Sequence, residues 1–258
     1  MAHSDTSRSL PVRAVLFDVG DTLWHAAAAP PPAEFRRLAA ERARAFLADA
    51  GIECPDPAAL ARACWDAMED AMRRARATTL IEPDYAAVAA RAAAELGVRL
   101  PPKAAGQFLE AIYVSGVEGG KTAYPDARPT LLALRQRGFR LAVVTNRAFG
   151  GDRFRDDLAA AGLDVGWDAV AVSVEVGYLK PHPALFRAAL DALAIEPAEA
   201  VMVGNSLAED IAGAQALGMR AAWKRSRPDA EGVIPDFTFE TVSELLAWSP
   251  LAGVAHVQ

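Results

Sequence analysis

The apolar positions of this chain change period twice, and the changes divide it into segments. Val12–Phe17 is a short, mostly apolar run that ends at Asp18, the pattern of a buried parallel strand. From Glu34 to about Glu118 the period is helical. A first helix carries Arg36, Arg37, Arg42 and Arg44 on its wet side and stops near Gly51. Asp56-Pro57 reads as an N-cap with proline at the first helical position, opening a second helix to about Thr78. Asp84–Leu96 predicts a third, and Pro101-Pro102 precedes a fourth that reaches about Val117. Four consecutive helices predict a small bundle.

After Tyr124-Pro125 strands and helices alternate. Leu131–Arg137 predicts a helix, Arg140–Thr145 a strand, Phe154–Ala161 a helix and Ala169–Val174 a strand. Pro183–Leu193 (helix), Ala200–Val203 (strand), Leu207–Leu217 (helix), Arg220–Trp223 and Asp236–Phe239 (strands) follow. Thr241 and Glu244 have capping-box spacing for a last helix. Such alternation implies right-handed crossovers and a parallel sheet covered on both faces. The expected architecture is α/β: a parallel doubly wound core over 12–24 and 123–249, with a helical cap over 25–122 inserted after the first strand. Residues 1–11 and 250–258 read as flexible tails. In such a core ligands bind beyond the carboxyl ends of the strands. The inserted module starts beside Asp18 and is placed to roof that site.

Composition narrows the function classes. The chain is 52% hydrophobic, much of it alanine, with no apolar run near the roughly 20 residues of a membrane helix. The polar start, Met1–Leu10, does not read as a signal peptide, so a cytoplasmic, non-membrane protein is expected. A net charge of -6 with interleaved signs argues against nucleic-acid binding. Cys54 and Cys64 make no C-x-x-C pair and read as free thiols. Gly120-Lys121-Thr122 is no P-loop, because Ser115 stands where that motif needs glycine.

Four segments carry candidate chemistry. Asp18-Val19-Gly20-Asp21-Thr22 places a carboxylate straight after a buried strand, with Gly20 available for a sharp turn. Thr145-Asn146 offers a hydroxyl and an amide at another strand end, Lys180 lies in a loop, and Gly204-Asn205-Ser206 with Asp210 ends a further strand and opens a helix. Each alone has a plainer reading, as a turn, a cap or a solvated lysine; Ser206 and Glu209 have capping-box spacing. Together they make a phosphate site: a carboxylate nucleophile, donors for phosphoryl oxygens, and hard oxygens for magnesium.

The order Asp18-x-x-x-Thr22, Thr145, Lys180, Gly204-Asn205-Ser206-x-x-x-Asp210 resembles the four motifs of the haloacid dehalogenase superfamily, and the insertion resembles its alpha-helical cap class. The resemblance implies Asp18 as nucleophile, Thr145 and Lys180 as phosphate holders, and Mg2+ bound through Asp18, the Gly20 carbonyl, Asn205 and Asp210. It implies a phosphatase acting on a small phosphorylated metabolite, with the cap setting the substrate. Two positions depart from the family. The second acid of Asp-x-Asp, usually the general acid and base, is here Gly20; Asp21 follows one residue later as a candidate replacement or as a turn residue. The usual Gly-Asp of the fourth motif is Gly204-Asn205. Two other readings stay open: a metal-free 2-haloacid dehalogenase, and a catalytically silent relative that binds a phosphorylated ligand. Trp24, His25, Thr22, Asn146 and Arg147 are candidate substrate contacts; nothing in the sequence fixes the oligomeric state.

Overall fold

The computed structural model describes residues 10–26, 31–225 and 232–252. The chain divides into two compact units, Met1–His25 with Thr122–Gln258, and Ala26–Lys121.

The first unit is built on a six-stranded, all-parallel sheet. Its strands are β1 (Ala14–Phe17), β4 (Arg140–Thr145), β5 (Ala169–Val172), β6 (Ala200–Gly204), β7 (Arg220–Lys224) and β8 (Phe237–Phe239), in the order β5-β4-β1-β6-β7-β8. Successive side chains of a strand point to opposite faces, and the core divides accordingly. Val15, Phe17, Val143 and Val203 meet Leu131 and Leu134 of α5 (Ala127–Gln136) and Phe154 and Leu158 of α6 (Gly151–Ala160). Leu16, Val144 and Met202 meet Leu185 and Phe186 of α8 (Pro183–Leu193) and Ala214 of α9 (Gly213–Ala216). Both faces of β1 are therefore covered, and all four of its residues are buried. Full burial of one such large apolar side chain stabilises by roughly 1.5–3 kcal/mol. The chain adds β4 and β5 on one side of β1 and then returns to add β6 on the other. That reversal opens a crevice at the carboxyl end of β1, and Asp18 is the next residue.

Four differences from the expected elements of this unit have physical causes. First, β5 ends at Val172, not Val174, because Ser173 starts a short helix, α7 (Ser173–Val176), and its Oγ accepts the Arg147 backbone N–H at 2.9 Å. Second, Leu207–Ala212 is π-helical, and Val242–Ala247, behind the Thr241–Glu244 capping box, is a 3-10 helix. Third, a two-residue antiparallel ladder joins β2 (Trp24–His25) to β3 (Thr122–Ala123); two residues are too few to show a period. Fourth, Leu251 is fully buried in the core and its carbonyl accepts from Arg137 at 2.7 Å, so the expected C-terminal tail does not start at Pro250. The rest of both expected tails, residues 1–9 and 253–258, lies outside the described residues.

The second unit is a bundle of α1 (Pro32–Asp49), α2 (Pro57–Ala77), α3 (Tyr85–Glu95) and α4 (Pro102–Ile112), each packed on the next and α1 also on α4. Asp56 caps α2 by accepting from the N–H groups of Ala58 and Ala59 at 3.1 and 3.0 Å, and Asp84 caps α3. Helix α4 stops at Ile112 rather than Val117. Beyond it Ser115 and Glu118 close a turn, each side chain accepting the other's backbone N–H. No described helix is long and apolar enough to cross a membrane.

Candidate active site

The backbone N–H of Asp18 donates to Val203 at 2.9 Å, which carries the sheet pattern one residue past β1 and fixes the carboxylate at the crevice. The Val19 carbonyl then accepts from the N–H groups of Thr22, Leu23 and Trp24, at 3.3, 3.0 and 3.1 Å, and this tight turn returns Thr22 towards Asp18. The Thr22 hydroxyl donates to Asp18 Oδ2 at 3.2 Å. The Thr145 hydroxyl, at the end of β4, donates to Oδ1 at 3.3 Å.

Lys180 joins the segments. A loop lysine is ordinarily solvated, yet this one is only 2% exposed. Its Nζ donates to Asp18 Oδ1 at 2.8 Å, to Asp210 Oδ1 at 2.7 Å and to the Val144 carbonyl at 2.9 Å, which uses its three N–H groups. Burial pulls the ammonium towards its neutral form, but the Asp18 and Asp210 carboxylates outweigh that and hold its pKa above the usual lysine value. Burial pushes the Asp210 carboxyl up, Lys180 pulls it down and the charge on Asp18 adds to the rise. The other Asp210 oxygen accepts the Ser206 N–H at 2.9 Å.

Two glycines of the motifs play different parts. A Cβ built on Gly204 would come within 2.3 Å of the Asp210 carboxyl, so glycine lets Asp210 lie against the end of β6. A Cβ on Gly20 would meet nothing within 4 Å. The left-handed position of that turn is Asp21, with φ of 54°, a conformation in which Asp is enriched. The turn therefore does not require glycine at position 20, contrary to the expectation from sequence.

Of the residues singled out in the sequence, the structure gathers Asp18, Thr22, Thr145, Lys180 and Asp210. Gly20 and Asn205 lie in the two adjoining loops, and the Asn205 carbonyl accepts from Trp223 Nε1 at 3.0 Å. Asn146 works on the scaffold: its Oδ1 accepts the Lys180 N–H at 2.7 Å, and its Nδ2 donates to the Lys180 carbonyl at 3.4 Å and to Glu209 at 3.2 Å. Glu209 was visible in the sequence only as half of a capping box with Ser206, whose Oγ does accept the Glu209 N–H at 3.2 Å.

Two candidate substrate contacts, Trp24 and Arg147, are drawn inward. Trp24 is buried in the core, edge-on to Phe154 at 6.4 Å. The Arg147 guanidinium stacks over both rings, at 5.5 and 4.7 Å, and pairs with buried Asp157 at 3.1 Å. His25 stacks on Tyr124 at 4.4 Å. The first two are held inward by the packing of Trp24 on Phe154, the cation over both rings and the Arg147–Asp157 ion pair.

A carboxylate and a buried lysine at the switch point of a doubly wound sheet define a class of α/β enzyme core. The model of the family described as haloacid dehalogenase-like hydrolase matches residues 12–218, and the chain belongs to that family. It is 30% identical over 250 residues to the glyceraldehyde 3-phosphate phosphatase of Methanopyrus kandleri, covering 91% of this chain and 96% of that protein. It is 40% identical over 124 residues to the phosphoserine phosphatase of Thermus thermophilus, a match that spans 47% of this chain and about half (49%) of that relative. The solved 2-haloacid dehalogenase of Pseudomonas syringae pv. Tomato superposes with a TM-score of 0.64 at 24% identity, over 93% of this chain and 98% of that one, which shows a shared fold.

The placement of Arg147 generates a prediction. Arg147→Ala breaks the ion pair with the buried Asp157 carboxylate, and breaking a buried pair costs about 3–5 kcal/mol, so urea unfolding should show a loss of up to that order. If stability is unchanged and only the KM for a substrate rises, Arg147 faces the ligand instead.

Proposed function

We propose that this chain is a magnesium-dependent phosphatase that hydrolyses the monoester of a small phosphorylated metabolite through a phosphoaspartyl intermediate at Asp18. The observation that carries this reading is the Asp18 carboxylate at the end of β1 with Lys180 Nζ 2.8 Å away. Two relatives are named for phosphoserine and glyceraldehyde 3-phosphate, both three-carbon phosphate monoesters, which supports the substrate class.

In this reading an oxygen of Asp18 attacks phosphorus, the ester P–O bond breaks, and its electron pair leaves with the alcohol oxygen. Lys180 and the hydroxyls of Thr22 and Thr145 already donate to Asp18, so they stand within reach of phosphoryl oxygens docked against it. Such preorganised donors stabilise charge where it develops. Water then attacks phosphorus, phosphate leaves and the Asp18 carboxylate is restored.

The donor set suits a loosely held Mg2+. Asp18 and Asp210 both already accept hydrogen bonds through both oxygens, but each carboxylate oxygen has a further lone pair to offer a cation. Asp18, Asp210, the Gly20 carbonyl and the Asn205 side chain are the hard oxygen donors that would hold the ion. No described cluster gathers three His, Cys, Asp or Glu, but Mg2+ is commonly held by one or two carboxylates with waters and substrate phosphate. When bound, the ion would offset repulsion between the carboxylate and the phosphate.

Asp18→Asn should fold, since Lys180 keeps Asp210 and Val144, and should lose turnover of phosphate esters; turnover at the parent rate would remove Asp18 from the chemistry. Chelation should abolish activity, magnesium should restore it, and Asn205→Asp should tighten magnesium binding by calorimetry, because it adds a charge to the donor set. Activity indifferent to chelation is the result a metal-free dehalogenase-like reaction would give. Gly20 supplies no carboxylate to protonate the leaving oxygen or to activate water, help typically worth about 10²–10⁴-fold. An aryl phosphate, whose leaving group needs little protonation, should therefore show a burst and then slow turnover. Gly20→Asp, for which the turn has room, should speed the steady phase. A parent without a burst, with a large loss in Asp21→Ala, would assign acid–base work to Asp21.

A further inference from the structure

A second buried lysine stands at the same edge of the sheet. Lys224 ends β7, one residue past Trp223, which pairs with Gly204. Strand β6 separates β7 from β1, so the backbones of Lys224 and Asp18 lie about 10 Å apart, two strand spacings. Trp223 packs in the core on one face of the sheet, and by alternation Lys224 turns to the other. There its Nζ sits 3.8 Å from the centre of the Tyr124 ring, on which His25 stacks. The Tyr124 N–H donates to Leu23 at 2.9 Å, which ties this column to the segment that leaves Asp18.

The two lysines are buried alike but satisfied differently. Lys180 has two carboxylates and a carbonyl. Lys224 is only 4% exposed, and among the described residues no carboxylate or carbonyl accepts from it; its recorded partner is the Tyr124 ring. A cation over an aromatic face gains roughly 0.5–2 kcal/mol, whereas desolvating an ammonium costs several kcal/mol. Nζ is nonetheless not among the wholly enclosed polar atoms without a partner, so it keeps an opening. A cation with no carboxylate or carbonyl partner among the described residues, at the edge where this fold binds ligands, is suited to receive an anion.

We propose that Lys224 binds a second anionic group, a carboxylate or a further phosphate, on the alcohol portion of the substrate, with Tyr124 and His25 forming the wall beside it. The proposal rests on the phosphatase reading and narrows its substrate class to phosphate monoesters of acidic alcohols. Its test uses competition for hydrolysis of 4-nitrophenyl phosphate. Ethyl phosphate, phosphoglycolate and ethylene glycol bisphosphate are compared as competitive inhibitors; the first lacks the extra anion, and the other two carry it as carboxylate and as phosphate. A charge-assisted hydrogen bond gives the parent a preference of about 10- to 100-fold for at least one of the doubly anionic esters. Which one it prefers identifies the group. Lys224→Met and Lys224→Gln should collapse that ratio towards one, and Lys224→Arg should restore much of it. A parent that hydrolyses the aryl ester but shows no preference overturns the proposal whether or not the variants fold. So does a preference that survives in Lys224→Gln. A parent that hydrolyses no phosphate ester refutes the phosphatase reading itself.

Discussion

The candidate site depends on one ammonium group. Lys180 Nζ lies between Asp18 and Asp210 with the Val144 carbonyl as its third acceptor, and through it the ends of β1 and β4 are tied to the π-helical segment after β6. Removing two carboxylates and an amine from water is costly, and it is tolerated where every donor and acceptor is met. The surrounding structure meets that demand. Asn146 fixes the lysine backbone, Ser206 holds the second oxygen of Asp210, and Gly204 leaves room for Asp210 to lie against the strand. Removing one member exposes the others, so the lysine and its two aspartates act as a unit and not as separable contributions.

The same arrangement suits phosphoryl transfer. A carboxylate next to an incoming phosphate faces a second anion, and fixed donors offset that repulsion without reorganising during the reaction. Lys180 and the hydroxyls of Thr22 and Thr145 are such donors, each already on Asp18. The turn after β1 gathers its amide bonds on the Val19 carbonyl and puts the left-handed conformation at Asp21. Gly20 is thus free of a conformational duty, and the missing acid at that position is a matter of chemistry rather than of folding.

Much of this architecture is legible in the sequence. Apolar runs ending at Asp18, Thr145 and Gly204 mark strands whose carboxyl ends must meet at one edge, and the cap at Asp56 marks a helix start that the structure reproduces. Asp18 and Thr145 could be read because each stands at the end of a strand, whereas Lys180, in a loop, and Asp210, inside the helix after β6, were legible only through the order of the motifs. Other features left no local trace. Trp24 and Arg147 followed the motifs closely enough to suggest ligand contacts, but their partners, Phe154 and Asp157, come from a later helix and draw them inward. The tasks of Asn146 and Glu209 are set by a contact across 63 residues of chain. The β2–β3 ladder is too short for any periodicity, and the burial of Lys224 depends on Tyr124, supplied from the far side of the inserted helices.

The central claim is that Asp18 becomes phosphorylated during turnover. The direct measurement is to mix enzyme, magnesium and an aryl phosphate, quench in acid within the first turnovers, and map the peptides by mass spectrometry. The account predicts a phosphoryl group on the peptide containing Asp18, at high occupancy in the parent, lower in Gly20→Asp and absent in Asp18→Asn. Substrate hydrolysis with no modified Asp18 peptide at any quench time, or with the label on another residue, would contradict it.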